Sequence, residues 1–354
     1  MDAAPGAETA ADEMAADATA AVERAAVVER YARFARDEAP GRSDLYAEWA
    51  DGVAGDEVIA GILARIPATR RQPPLVFAVS RMLGAPEAAF PAWAEWVREH
   101  ADALVTEAST RRLQTNEPQR CAALLPALAG VDGPVALLEI GVSAGLCLYP
   151  DRYSYRYRGS DGVAALDPED GPSAVVLDCA AHGDPPLRLP NVVWRAGIDL
   201  HPLDAADPGD RRFLTSLVWP GESGRADRIR AALDIVADDP PLLVAGDATD
   251  PAVLRALASR APQGATLVVT TPGVLPHIAR DGRERLIATI RGLDAVWITI
   301  DPPALHEWRH PLTDPGAWGG FVLARDDETL AAVDPLGGFV RWRASDDGSV
   351  DAAG

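Results

Sequence analysis

Near Gly130 the hydrophobic pattern of the chain changes its period, and that change limits the folds open to it. Before it, apolar residues recur at helical spacing. After it, short apolar runs alternate with amphipathic segments. The runs are "PVALLEIG", "NVVWRAGIDL", "PPLLVAGDATD", "GATLVVTTPG" and "DAVWITIDPP". Between them lie "DRRFLTSLV", "RADRIRAALDIV", "PAVLRALASR" and "RERLIATIRGL", each able to present one apolar face. Strands that alternate with helices are joined by right-handed crossovers, so the second part should be an α/β unit with a mainly parallel sheet. The first part should be all-α.

Three segments follow. Residues 1–20 are Ala-rich and acidic, offer almost nothing to bury, and are expected to be disordered. Residues 21–130 form a helical cap or lid domain. In "AAVVERYARFARDEA" the residues Val27, Tyr31 and Phe34 share a face, and Ser43-Asp44 starts the next helix with Tyr46 and Trp49. Residues 131–354 form the sheet domain. Within it, 151–190 breaks the rhythm: Tyr153, Tyr155 and Tyr157 alternate, then a Gly/Pro/Asp-rich connection leads to "SAVVLD", as an inserted hairpin would. The tail, "GFVLARDDETLAAVDPLGGFVRWRA", reads as antiparallel strands at the sheet edge.

The stretch "VALLEIGVSAGLCLYP" carries the chemical question. As G-x-S-x-G (Gly141, Ser143, Gly145) it is a nucleophile elbow, with Ser143 attacking an ester or amide. As E-x-G-x-x-x-G (Glu139, Gly141, Gly145) it is a nucleotide-binding turn whose glycines let a ligand approach the backbone at a helix N-terminus. An elbow should follow several strands, yet the 130 residues before this one read as helix. A triad acid and histidine, drawn from Asp247, Asp301, His277, His306 and His310, stand in no telling context.

The nucleotide reading finds more support. Its ordered series resembles the S-adenosylmethionine-dependent methyltransferases. That resemblance implies a Rossmann-like methyltransferase sheet, mostly parallel with an antiparallel edge, after the all-α domain. It makes Glu139 the acid of the first strand, able to hold the cationic methionine end, with Ser143 beside the cofactor carboxyl group. Asp199, in "AGIDLHPLD", becomes the ribose ligand, because a diol offers two donors and a carboxylate two acceptors. Asp247 and Ala248, in "GDA", address the adenine. Asp199 lies 58 positions after Gly141 where about 20 is usual, so either the 151–190 segment is an excursion or "YSYRYR" is the true second strand and the ribose contact is lost. The cofactor implied is S-adenosylmethionine, and the acceptor a small molecule; the same fold without transfer activity, a nucleoside-binding protein, is the alternative.

The whole chain from about Tyr31 onward is also similar to the largely actinobacterial "domain of unknown function" family 2332. The resemblance is carried by "RRLQTNEPQRCAALLPAL", "LLEIGVSAGLCLYPDRYSYRY", "VVWRAGIDLHPLD", "FLTSLVWP" and "GATLVVTTPGVLPHI". It implies the same fold and supplies no catalytic residues.

Catalytic candidates are therefore weak: Asn116 and Glu117 in the polar run before the first strand, and His277 at a strand's carboxyl end. Asn116 could equally cap a helix beginning at Glu117-Pro118. "IDPPALHEW" resembles the D-P-P-aromatic motif of amino-group methyltransferases, with alanine in place of the aromatic. No spacing of His and Cys recommends a metal, and the three cysteines form no C-x-x-C. A formal charge of −20, with arginine as the sole basic residue besides histidine, repels phosphate backbones and argues against nucleic acid. No basic-apolar leader and no run of about 18 apolar residues occurs, so a cytoplasmic protein without membrane attachment is expected. The oligomeric state is not legible.

Overall fold

A computed structural model describes residues 5–114, 117–305 and 320–343. In chain order the first helices are α1 (Pro5–Asp37), α2 (Asp44–Gly55), α3 (Glu57–Ala64), α4 (Pro73–Met82), α5 (Phe90–Glu99), α6 (Ala101–Thr110) and α7 (Arg120–Leu128). Strands β1 (Pro134–Ile140), β2 (Ser154–Gly159), β3 (Gly162–Leu166), β4 (Val176–His182) and β5 (Asn191–Asp199) come next. Helices α8 (Pro208–Ser216) and α9 (Arg225–Asp238) lead to β6 (Leu242–Ala245), α10 (Pro251–Ala258), β7 (Thr266–Pro272), α11 (Arg280–Arg291) and β8 (Val296–Asp301). The chain ends in β9 (Phe321–Arg325), β10 (Glu328–Val333) and β11 (Phe339–Trp342).

The chain divides into two compact units, Met1–Gln114 with Pro208–Asp227, and Thr115–Asp207 with Arg228–Gly354. The first is helical. Its first helix is already formed at Pro5, where disorder was expected; alanine, the best helix former, is abundant there and loses no side-chain freedom. Ser43 caps α2 by accepting from the Tyr46 amide at 3.2 Å, and Asp56 caps α3. The core is aromatic: Tyr31, Phe34, Tyr46, Trp49, Phe77 and Trp93 are fully buried, with Trp49 stacked on Trp93 at 5.1 Å. The excursion 208–227 completes it. Trp219 packs on Phe34 and Tyr46, and the Arg81 guanidinium donates to the Ser216 and Val218 carbonyls at 2.9 and 2.7 Å.

The second unit is built on an 11-stranded, mostly parallel sheet of order β3-β2-β4-β11-β10-β9-β8-β7-β1-β5-β6. β1 lies parallel between β5 and β7, and β8 and β6 extend the parallel part on either side. The tail strands β9, β10 and β11 are antiparallel, as expected, but they are not the edge. Inserted strand β4 pairs with β11 and carries β2 and β3 beyond it. The hairpin expected between the tyrosine strand and "SAVVLD" is not formed: β2 and β4 pair in parallel, and β2 makes its hairpin with β3 instead, closed by the two-residue turn Ser160-Asp161.

Helix α7, "RCAALLPAL", organises this unit. A helix apolar on every face must be buried on every face, and Cys121 through Leu128 are all buried. The Tyr157 hydroxyl on β2 donates to the Ala122 carbonyl at 2.7 Å, while the neighbouring Cys121 thiol donates to the Cys147 carbonyl just after β1 at 3.6 Å. β2 and β1 stand seven places apart in the sheet, about 34 Å if it were flat. β2 and the connection that follows β1 thus both reach α7, which packs on β4, β8, β9 and β11.

Candidate functional site

At the carboxyl ends of the parallel strands lies a cavity of about 590 Å³ within the second unit. Its walls come from the ends of β1 (Gly141), β5 (Asp199) and β6 (Asp247, Ala248), from His277 after β7, and from Arg285 on α11. In chain order, leaving out the inserted strands, β6-β5-β1-β7-β8 reads third, second, first, fourth, fifth. The crevice therefore opens where successive connections leave β1 in opposite directions, the usual ligand position of such sheets.

Two carboxylates are fixed there by the backbone. Asp199 Oδ2 accepts from the Ser143 amide at 3.0 Å and Oδ1 from the His201 amide at 2.9 Å. Asp247 Oδ1 accepts from the Thr249 amide at 2.8 Å. An ionised carboxylate has about four acceptor positions, so each keeps unused ones. Asp247 and His277 are exposed, Asp199 is half-buried and Ala248 is buried.

The turn after β1 has a different purpose from the one expected. Gly141 has φ +75°, and a Cβ there would come within 2.5 Å of a Val274 methyl. Glycine is needed because Val274 rests on it. Gly145 is likewise covered, by Pro241 at 3.2 Å from a built Cβ. Nor does the turn open an α-helix: Leu146–Leu148 forms a single 3₁₀ turn and the chain passes on to β2. The helix N-terminus expected there is absent, because 151–190 is inserted where the first crossover helix would stand.

Ser143, at φ +52° and 3% exposed, uses its amide on Asp199 and its carbonyl to accept from the Leu203 amide at 3.1 Å. It lacks both the exposure and the following helix that an elbow requires.

Glu139 does not line the cavity. It is 4% exposed, and its Oε2 has no hydrogen-bond partner. Burial pushes its carboxyl well above the ordinary range, the neighbouring Cys147 and Asp199 add to the shift, and Arg120 opposes it. Its carboxyl therefore holds a proton more tightly than an exposed acid does. Arg120 donates to the Pro272 and Pro335 carbonyls, both at 2.9 Å.

Of the catalytic candidates, Asn116 lies outside the described residues, as do His306 and His310. Glu117 is 1% exposed; its Oε1 accepts from the Gln119 amide at 3.0 Å and from Arg228 Nε at 3.2 Å, a structural ion pair. α7 begins at Arg120, so the helix does not start at Glu117. Asp301, in the D-P-P stretch, is fully buried at the end of β8 and accepts from the Thr299 hydroxyl.

A larger cleft of about 910 Å³ opens at the amino end of β5. It contains none of the expected residues. Its Arg195 is paired with Asp151 at 2.7 Å and lies over the Tyr149 ring. We place the site in the smaller cavity, on the strand ends that ligands of such sheets use. Sequence reasoning missed Val274 and Arg285 there; "TTPGVLPHI" pointed to the loop but not to a side chain that covers Gly141.

A family profile matches residues 28–342. The chain belongs to the uncharacterised bacterial family DUF2332. No curated protein and no solved structure matches it. Among the described residues no helix is long and apolar enough to cross a membrane, and no three His, Cys, Asp or Glu side chains gather as a metal site needs.

Proposed function

We propose that this DUF2332 protein is a cytoplasmic S-adenosylmethionine-dependent methyltransferase acting on a small molecule, on a Rossmann-like methyltransferase sheet. The charge and shape of the crevice carry the reading. Asp199, Asp247 and Asp281 line it against one arginine, Arg285, and no helix starts at the β1 turn. A dinucleotide needs that helix N-terminus for its phosphates, and phosphates are repelled by such walls. A nucleoside that carries no phosphate and bears positive charge suits both features.

The free acceptor positions of Asp199 fit a ribose diol, and Asp247 with Ala248 fits the adenine edge. Because Val274 covers Gly141, the ligand lies toward β5 and β6 and not across the turn. The sulfonium, when bound, supplies the activated methyl group. The chain's part is to orient it and to exclude water. Apolar Val274, Ile278 and Ala279 serve that exclusion. His277 is the imidazole in the lining that can take a proton from an acceptor.

Thermal unfolding with added ligands tests the reading. S-adenosylmethionine and S-adenosylhomocysteine should raise the midpoint, while ADP and NAD should not. Labelled-methyl turnover on a metabolite extract then separates a transferase from a silent binder of the same fold. Stabilisation by ADP or NAD alone would sink the reading.

A further inference from the structure

An adenosyl compound of the S-adenosylmethionine type is longer than its nucleoside, and its arm ends in an ammonium and a carboxylate. The sequence pattern points to Glu139 and Ser143 as partners of that end, yet both are buried and neither lines the crevice. Nor can the arm cross the β1 turn, where Val274 rests on Gly141. Val274 belongs to a fixed wall. The Gly273 amide before it donates to the Ile300 carbonyl at 2.8 Å, Leu275 after it is fully buried, and Arg120 holds the Pro272 carbonyl. The charged end of the arm needs partners elsewhere in the lining.

Helix α11 supplies them. Asp281 and Arg285 both line the crevice, and they stand four residues apart. That spacing puts them on one face of the helix, with Cβ atoms about 5–6 Å apart. Opposite charges at this spacing ordinarily pair with each other, as Arg280 does with Glu284 at 2.8 Å on the same helix. Asp281 and Arg285 form no such pair, and among the described residues neither side chain makes a hydrogen bond. The helix also comes close to the nucleoside end of the crevice. A Cβ on Gly282 would lie 3.3 Å from the Thr249 methyl, and the Thr249 amide is bonded to Asp247.

We propose that Asp281 and Arg285 bind the amino-acid end of the adenosyl compound, Asp281 taking its ammonium group and Arg285 its carboxylate. The assignment rests on the adenosyl reading of the crevice and adds the class of arm that the site selects, a zwitterionic α-amino acid. An α-amino acid carries its two charges on neighbouring carbons, so one helical turn is enough to present a partner to each. Arg285 offers a planar fork of donors that matches a carboxylate, and Asp281 offers acceptors to the three ammonium protons.

The pairing of charges also says which arms are refused. A phosphate arm would meet Arg285 but face Asp281 one turn away, with Asp199 and Asp247 beyond. An arm without charge leaves both side chains in water and gains nothing from them. Both residues are exposed, so each contact is of the strength of an exposed pair, about fivefold in affinity at most.

Isothermal titration with two ligands reads the arm apart from the nucleoside. S-adenosylhomocysteine carries the amino-acid arm, and 5′-methylthioadenosine has a methyl group in its place. Asp281→Asn and Arg285→Gln should each weaken S-adenosylhomocysteine about threefold to fivefold and leave 5′-methylthioadenosine unchanged. Their unfolding midpoints should match wild type, since both side chains are exposed. Variants that keep full affinity for S-adenosylhomocysteine, or that lose both ligands alike, overturn the assignment and leave the adenosyl reading standing. A wild type that binds neither ligand overturns that reading, and the assignment with it.

Discussion

Replacing Glu139 with glutamine isolates the proton that its carboxyl holds. In the unfolded chain this acid titrates near its ordinary value of 4.5; in the folded protein burial raises it well above that. Cys147 and Asp199 push in the same direction, and Arg120 opposes them. Between the two values the folded state binds the proton and the unfolded state does not. Stability from this group is therefore complete below about pH 4.5 and is lost as pH rises toward the folded value, by about 1.4 kcal/mol per pH unit. Glutamine keeps the shape and cannot ionise. The Glu139→Gln variant should gain on wild type as pH rises above about 4.5, by at most about 1.4 kcal/mol per pH unit, until the folded acid ionises. Urea denaturation at each pH, read with equal slopes for the two proteins, measures that difference. An infrared difference spectrum should show the carbonyl band of a protonated acid in wild type alone. A stability difference that does not change with pH would refute the reasoning.

Two further substitutions test the packing around the site. Gly141→Ala should cost about 2–5 kcal/mol, combining about 1–2 for the left-handed backbone with about 1–3 for collision with Val274. Adding Val274→Ala should recover the second part and not the first, which a double-mutant cycle by denaturation will show. Glu117→Ala leaves Arg228 and the Gln119 amide without their acceptor and should cost about 2–3 kcal/mol, below the usual figure for buried pairs because Arg228 is 24% exposed. If Glu117→Ala instead unfolds like wild type, Glu117 is not the structural residue described here.

Much of the parallel sheet could be read from residue patterns. β1 was expected at 135–140 and runs Pro134–Ile140, and Asp199 ends β5 as its strand required. Asp199 and Asp247 do meet at one cavity, because both end strands on the same side of β1. What escaped reading depends on long-range pairing. Nothing local in "SAVVLD" says that β4 will pair with β11, more than 150 residues later, and so move the tail strands inside the sheet. Nor does "DRRFLTSLVWP" announce that Trp219 belongs with Phe34 and Tyr46. The glycine turn misled for a similar reason. Gly141 signals a close approach, and only the fold shows that the approaching group is Val274.

The account stands or falls on whether the carboxylate-walled crevice accepts an adenosyl compound, and isothermal titration with S-adenosylhomocysteine measures that directly. Wild type should give saturable heat at one site, and Asp199→Asn should bind at least tenfold more weakly, since a buried-side acceptor for the ribose is lost. No heat from wild type at millimolar ligand, or equal affinity in both proteins, would contradict it.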